Sequence, residues 1–213
     1  MFQDRADAGR QLAEALKGYK TENMIVLALP RGGVPVGYEI AKALDIPLDV
    51  LTIRKLGTPG QEELAMGAIG PDGVVVLNEE VVRLLGIPEV AIEAAIAREK
   101  KELQRRSQRF VGERPFPDLA GKVAVIVDDG LATGSTAMAA VQAVRAMEPK
   151  QIILAVPVCA ADSGQRLCRL VDVFVCLEQP VHFMAVGNWY RNFNQTTDQE
   201  VVELLNSPRE VDA

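Results

Sequence analysis

The stretch Val123-Ala-Val-Ile-Val-Asp128-Asp129-Gly-Leu-Ala-Thr-Gly-Ser-Thr136 decides how the chain is interpreted. Five apolar residues, most of them β-branched, lead directly into two adjacent carboxylates. A loop of small residues follows over 130–136, and an alanine-rich amphipathic run covers residues 137–147. This order is typical of a buried parallel strand, a tight loop and a helix.

The loop and the acidic pair suggest two complementary binding functions. Free N–H groups of the loop and the positive end of the following helix would point at one spot, which suits a phosphate group. Asp128 and Asp129, at the end of the strand, would face hydroxyl groups or a metal ion. A sugar that carries a phosphate would satisfy both halves of the site.

The remainder of the chain alternates between strand and helix patterns. Because such alternation implies strands joined by helical crossovers, we predict an α/β fold with an open, mostly parallel sheet flanked by helices. Residues 1–213 are expected to form a single domain, as their number suggests. The predicted strands are residues 24–29, 48–53, 74–77, 123–127, 151–156 and 172–177; the predicted helices are 4–17, 34–44, 79–86, 88–109, 135–147, 161–170 and 198–205.

Composition argues against several classes of protein. The formal net charge is −6, and the apolar runs are too short to cross a bilayer, so neither nucleic acid nor a membrane is an expected partner. The basic run over residues 98–109 is interleaved with Glu99 and Glu102, which favours a solvated helix surface. Three cysteines match no zinc spacing, and we expect reduced thiols in a cytoplasmic protein.

Residues 123–136 resemble the phosphoribosyl-pyrophosphate (PRPP) motif of type I phosphoribosyltransferases. The acidic pair and the Thr-Gly-Ser-Thr ending both stand in register with that motif, whereas neither a P-loop nor a Gly-x-Gly-x-x-Gly pattern is present. The resemblance implies that Asp128 and Asp129 hold the ribose 2- and 3-hydroxyls. It implies a cradle for the 5-phosphate, made of Ala132, Thr133, Gly134, Ser135 and Thr136. The alternative is a generic strand, loop and helix with a solvated acidic turn.

Two further loops are expected on the same rim, because the carboxyl ends of parallel strands share one edge of the sheet. Arg31, Gly32 and Gly33 follow the first strand and resemble the family's pyrophosphate loop. Lys55 begins a segment of about residues 55–73, a mobile loop or an irregular hairpin, which would be the flexible lid of the family. Lys55 would neutralise pyrophosphate, and the roles of Glu62 and Glu63 stay open. The alternative for the first loop is a glycine-rich helix entry with a surface arginine, and the alternative for the second is a plain surface hairpin.

An aromatic-rich segment of about residues 179–197 would form a small C-terminal hood. Its rings Phe183, Trp189 and Tyr190 could stack on a planar acceptor. Equally open alternatives are that aromatics pin the loop onto the end of the sheet, or that it contacts another subunit. His182 is the chain's one histidine, and a lone histidine in a loop is more often incidental than a catalytic base.

The sequence thus predicts a phosphoribosyltransferase. The 5-phosphoribosyl group of PRPP would pass to a nitrogen nucleophile, most simply a nucleobase, with release of pyrophosphate. Catalysis would rest on Asp128, Asp129, Lys55 and Arg31. Mg²⁺ would arrive bound to PRPP and would have no direct protein ligands. Asp128 and Asp129 could contact it through water. A homodimer is the expected assembly. The alternative function is a non-catalytic PRPP-binding regulator of the same fold.

Overall fold

The computed structural model describes residues 1–207, apart from the side chains of Glu62 and Glu63. Within these residues the chain forms eight strands and seven α-helices. The strands are β1 Met24–Ala28, β2 Leu48–Val50, β3 Arg54–Thr58, β4 Gln61–Ile69, β5 Val75–Leu77, β6 Val123–Val127, β7 Gln151–Val158 and β8 Val173–Glu178. The helices are α1 Arg5–Leu16, α2 Gly33–Leu44, α3 Glu79–Leu84, α4 Glu89–Val111, α5 Ser135–Arg145, α6 Ala161–Leu167 and α7 Asp198–Asn206.

Five of the strands form the main sheet, in the order β2-β1-β6-β7-β8. Every neighbouring pair in this sheet is parallel. The predicted α/β fold with a parallel sheet flanked by helices is therefore confirmed. Strands β1 and β6 are neighbours within the sheet, so the loops that follow them, residues 29–32 and 128–134, adjoin at the carboxyl edge.

The central strands are apolar throughout because both faces of the sheet are covered. Along β1, Met24, Val26 and Ala28 face one hydrophobic core, which α1, α2 and α7 complete. Ile25 and Leu27 face the opposite core, against α5 and α6. Successive residues of the strand therefore contribute to opposite cores, because side chains along a strand point alternately to the two faces of the sheet.

Strands β3, β4 and β5 form a separate antiparallel sheet rather than extending the main one. The predicted strand at residues 74–77 belongs here, as β5. This sheet packs on α3 and α4 through a third core that includes Leu56, Met66 and Leu103. The predicted lid is thus a hairpin, with register shifts around Gly57, which is the irregular-hairpin alternative.

Other features of the described residues bear on the expectations. Cys159, Cys168 and Cys176 are free thiols. Among residues 1–207, no helix combines the length and the apolar character needed to span a bilayer. The exposed His182 lies in the irregular segment that follows β8.

Candidate functional site

The acidic pair lies at the carboxyl end of β6, at the centre of the main sheet. The Oδ1 atom of Asp128 accepts a hydrogen bond from the backbone N–H of Asp129 at 2.9 Å. Burial raises the pKa of Asp128 well above its ordinary value, and the charge of Asp129 adds to the rise. Burial also raises the pKa of Asp129, which a hydrogen bond from Arg5 and its charge partly offset. The pair is therefore a concentration of negative charge that favours a cation or hydroxyl donors.

Arg5, at the start of α1, supplies a counterion that the sequence did not reveal. Its Nε atom donates to Asp129 Oδ2 at 2.8 Å, and both side chains are mostly buried, with 12% and 15% exposure. A second guanidinium nitrogen of Arg5 donates to the carbonyl oxygen of Asn194 at 2.7 Å. The guanidinium carbon lies 3.9 Å from the centre of the Phe193 ring. These contacts fix Arg5, and Arg5 in turn fixes one oxygen of Asp129.

Tyr190 closes the same arrangement from the C-terminal segment. Its hydroxyl donates to the backbone carbonyl of Asp129 at 2.6 Å, and its ring stacks on Phe193 with 4.9 Å between centroids. Burial and the charge of Asp129 raise the pKa of Tyr190, so the hydroxyl stays a donor. Phe183 and Trp189 pack against the cluster of Phe2 and Tyr190. The structure therefore favours the alternative in which aromatics pin this segment onto the end of the sheet.

The loop over residues 130–134 places small residues at the start of α5. Gly134 precedes the helix with a φ of 71°, a left-handed conformation that glycine adopts readily. The hydroxyls of Thr133 and Ser135 lie 3.1 Å apart, and Ala132, Thr133, Ser135 and Thr136 are exposed. The start of α5 is therefore exposed and carries hydroxyl groups, and its Ser135 N–H already donates to the Thr133 hydroxyl at 3.4 Å. An exposed helix N-terminus with hydroxyl donors suits a phosphate.

Helix α6 supports this loop from beneath, a role that the sequence did not reveal. The Ser163 hydroxyl donates to the carbonyl oxygen of Ala132 at 2.6 Å. Arg166 donates to the carbonyl oxygen of Thr133 at 3.2 Å and to the Ser163 hydroxyl at the same distance. These bonds occupy two loop carbonyls and hold the loop against α6.

The loop after β1 touches the acidic pair through its glycines. A Cβ atom on Gly32 would lie 2.0 Å from Asp129 Oδ2, and one on Gly33 would lie 2.6 Å from the carbonyl oxygen of Val127. Side chains would not fit at either position, so the two loops meet only because both residues are glycine. The peptide bond between Pro30 and Arg31 is cis. Arg31 lies 3.7 Å from an oxygen of Asp198, in the first turn of α7.

Lys55 and two of the cradle residues, Ser135 and Thr136, line one cavity of about 350 Å³, whose other walls include Pro30 and Arg106. Arg31, Gly32 and Asp129 line a neighbouring cavity of about 300 Å³, together with Arg5 and Phe193. Six of the sequence-predicted residues thus line these two cavities, whereas Asp128, Gly33 and the loop residues 132–134 line neither.

Arg106 belongs to the basic run for which the sequence predicted a solvated helix surface. The residue is exposed, as that prediction requires, but it also lines the cavity of Lys55. Helix α4 therefore contributes to the surroundings of the site, which the sequence did not reveal.

The described residues contain no group of three or more histidine, cysteine or acidic side chains placed to hold a metal ion. Mg²⁺ characteristically takes one or two carboxylates together with phosphate oxygens of a substrate. Asp128 and Asp129 provide a carboxylate pair at the correct edge, so a metal ion carried by a phosphorylated ligand fits this site better than a protein-built cage.

Comparisons with known proteins agree with this geometry. Two proteins of Mycobacterium tuberculosis, from strains CDC 1551 / Oshkosh and ATCC 25618 / H37Rv, are provisionally named phosphoribosyl transferases. Each is 52% identical over 205 residues, which cover 96% of this chain but 46% of the relative. The chain therefore spans about half the length of these relatives.

Solved structures and a family profile extend the comparison. The protein TT1426 of Thermus thermophilus has a TM-score of 0.89 and 39% identity, with coverage of 96% of this chain and 97% of that one. The AQ2163 protein of Aquifex aeolicus shares the fold, with a TM-score of 0.51, 13% identity and coverage of 95% and 85%. The profile of the phosphoribosyl transferase domain matches residues 2–189. This chain belongs to the phosphoribosyl transferase domain family.

Proposed function

We propose that this chain transfers the 5-phosphoribosyl group of PRPP to a nitrogen nucleophile, most simply a nucleobase, and releases pyrophosphate. One observation carries the proposal. A partly buried carboxylate pair, Asp128 and Asp129, directly precedes the exposed start of α5 and lies against Gly32 and Gly33. A phosphorylated pentose with a diphosphate on C1 complements these three parts together.

The cradle would hold the 5-phosphate of PRPP. Backbone N–H groups over residues 132–136 and the hydroxyls of Thr133, Ser135 and Thr136 would donate to its oxygens. A dianion at this position gains from the α5 dipole and from charge-assisted hydrogen bonds at once. The bonds from Ser163 and Arg166 to the loop carbonyls prepare this arrangement before any ligand arrives.

Asp128 and Asp129 would bind the 2- and 3-hydroxyls of the ribose. The hydroxyls supply the donors that the crowded carboxylates need, which offsets part of the cost of burial. When the bond between C1 and the diphosphate breaks, positive charge develops on the sugar. Fixed carboxylates close to that charge would stabilise the transition state more than the ground state.

Arg31, Lys55 and the N–H groups of the loop after β1 would bind the diphosphate. PRPP would carry Mg²⁺, which neutralises the phosphate charge that builds up on the leaving group. Water between Asp128 or Asp129 and the metal would connect it to the protein. The β3–β4 hairpin, which carries Lys55, would cover the bound sugar and exclude water.

Pyrophosphate release tests this proposal. Wild-type protein with PRPP and Mg²⁺ would be screened against purines, pyrimidines and small amines. We expect release with at least one acceptor. The variant with Asp128→Asn and Asp129→Asn should lose both release and PRPP binding in calorimetry, while the exposed control Asp118→Asn should retain both. Unchanged affinity in the double variant would contradict the assigned site.

The screen also separates the enzyme from a PRPP-binding regulator. Tight PRPP binding without release for any acceptor would favour the regulator. We further propose that the protein is a cytoplasmic homodimer. Light scattering on purified protein would test the assembly. A monomeric mass would contradict the dimer without affecting the transferase proposal.

A further inference from the structure

A third cavity lies beside the candidate site, between the loop after β1 and helices α4 and α7. Its volume is about 220 Å³. Its lining comprises two apolar residues, four arginines and one carboxylate: Pro30, Phe110, Arg31, Arg105, Arg106, Arg109 and Asp198. Three of these arginines belong to the run predicted as a solvated helix face, and the function argued so far uses only Arg31 among the residues of this cavity.

The charges around this cavity do not balance. Arg105 donates to both carboxylate oxygens of Glu102, and Arg106 donates to the same carboxylate at 3.1 Å. Arg109 donates to one oxygen of Asp198, and Arg31 lies 3.7 Å from the other. Four guanidinium groups therefore share two carboxylates, which leaves a surplus of two positive charges in a chain whose formal net charge is −6.

The shape of the cavity adds a second constraint. Phe110 is 8% exposed and forms an apolar wall together with Pro30. The volume lies below the roughly 300 Å³ at which pockets for larger ligands begin. A single flat ring would fit such a space, with its face on the apolar wall. An attached carboxylate or phosphate would reach the guanidinium groups, whose planar forks bind these anions in pairs of hydrogen bonds.

The cavity adjoins the candidate PRPP site. Pro30 and Arg106 line both this cavity and the one that holds Lys55, Ser135 and Thr136. A diphosphate that carries Mg²⁺ would be served by Arg31, Lys55 and loop N–H groups. Arg105, Arg106 and Arg109 would still outnumber Glu102 and Asp198 by one positive charge, which favours the binding of a second anion at α4.

We propose that this cavity binds the acidic group of the acceptor, which is a small ring bearing a carboxylate or a phosphate. The inference rests on the proposed function and narrows its acceptor from nucleobases in general to ring acids. Arg105 and Arg109 select the acceptor by its charge, and Phe110 supports its ring.

Matched pairs of probes test this assignment. Nicotinate with nicotinamide, and 4-aminobenzoate with 4-aminobenzamide, differ only in the acidic group; phenyl phosphate with phenol gives the phosphate arm. Calorimetry would measure the affinity of each probe and of PRPP for wild-type protein. We expect at least one acid to bind about tenfold more tightly than its neutral partner, as one charge-assisted contact provides.

The variants Arg105→Gln and Arg109→Gln should each lower the ratio of acid affinity to neutral-partner affinity about tenfold. Both should change PRPP affinity less than about twofold. Lys101→Gln is the matched control, since Lys101 is an exposed cation on α4 that does not line the cavity. It should change none of the affinities.

Two results would overturn the inference. If the acids bind no more tightly than their neutral partners, the cavity does not recognise an acidic group. An equal loss of PRPP and acid affinity in both variants would assign the cavity to the diphosphate. Failure of the proposed function has a different signature: wild-type protein would not bind PRPP, while the acid preference and its dependence on Arg109 would persist.

Discussion

At the scale of single residues, the site places two carboxylates side by side, which lowers the stability of the free protein. Asp128 lies at the end of a fully buried strand, and Asp129 keeps its position through Arg5 and through contact with Gly32. Groups that are arranged for a ligand rather than for stability are common at functional sites. The two carboxylates differ in their partners, so their substitutions should have different effects.

Replacing Asp128 by asparagine should stabilise the free protein. Because the folded pKa of Asp128 lies above the unfolded value, its stabilising contribution is full below the unfolded pKa and is lost as pH rises through the folded pKa. The stability that wild-type protein loses as pH rises amounts to about 1.4 kcal/mol for each unit of pKa increase. Asp128→Asn keeps an oxygen for the Asp129 N–H and avoids this loss.

Urea unfolding at pH 5 and pH 8 would measure the effect. Asp128→Asn should be more stable than wild type at pH 8, with a smaller difference at pH 5. Asp118→Asn, at an exposed position, should follow wild type at both values. If the Asp128 variant proves less stable at pH 8, the carboxylate contributes to folding and the charge argument is wrong.

Replacing Arg5 by methionine should have the opposite effect. Asp129 then loses its counterion in a mostly buried position, which costs about 3 kcal/mol when one partner of such a pair is removed. PRPP binding should weaken as well, because Asp129 is neither oriented nor kept ionised. Arg10→Met is the control on the same helix, since Arg10 is exposed and lies 3.8 Å from Glu39.

Denaturant unfolding and calorimetry with PRPP would report on both consequences of Arg5→Met. Raising the pH should partly restore PRPP affinity in this variant, because Asp129 then ionises without its cation. A variant with unchanged affinity at every pH would show that Arg5 has only a structural role.

At the scale of elements, α4 connects the lid hairpin to the rest of the site. Arg54, at the start of β3, donates to Glu99 at 2.8 Å, and Arg98 donates to the other oxygen of that carboxylate. Burial by itself would raise the pKa of Glu99, but these bonds and charges more than offset it, so the pKa lies below its ordinary value. The residue next to Lys55 is thereby fixed to α4.

The variant Glu99→Gln should loosen this connection and lower stability by about 2 kcal/mol near pH 7. A depressed pKa contributes stability above the unfolded value that is lost as pH falls through the folded value, so the difference from wild type should shrink in acid. Hydrogen exchange should show faster exchange in β3, with Glu93→Gln on the exposed face of α4 as the control. Equal protection in both variants would contradict the connection.

The sequence predicted an element correctly wherever the local pattern of residues was sufficient to indicate its structure. The apolar runs of β1 and β6 indicated the parallel sheet, and the Gly-rich and acidic loops indicated the candidate site. Arg5 could not be found in this way, since it is 124 positions from Asp129 and its helix carries other charged residues. The basic run on α4 predicted only a solvated surface, because arginines three and four positions after Glu102 are also typical of ion pairs on an exposed helix.

At the scale of the whole molecule, the acidic pair and the α5 cradle form one continuous stretch, whereas the loop after β1 comes from a distant part of the chain. A ligand that bridges them should therefore stabilise the entire fold. A ligand present at a hundredfold excess over its Kd adds about 2.7 kcal/mol. For a chain of this length, that corresponds to an increase in Tm of roughly 5–10 °C.

Thermal unfolding with PRPP and Mg²⁺ would measure this increase. Mg²⁺ alone should leave Tm nearly unchanged, because the described residues contain no group of three or more metal-binding side chains. Excess EDTA should abolish most of the PRPP effect, since the diphosphate then keeps charge that Arg31 and Lys55 cannot neutralise alone. Ribose 5-phosphate should give a smaller increase that EDTA does not change, because it lacks the diphosphate. A large increase with Mg²⁺ alone would instead place a metal site in the protein itself, and the ion could no longer be assigned to the substrate.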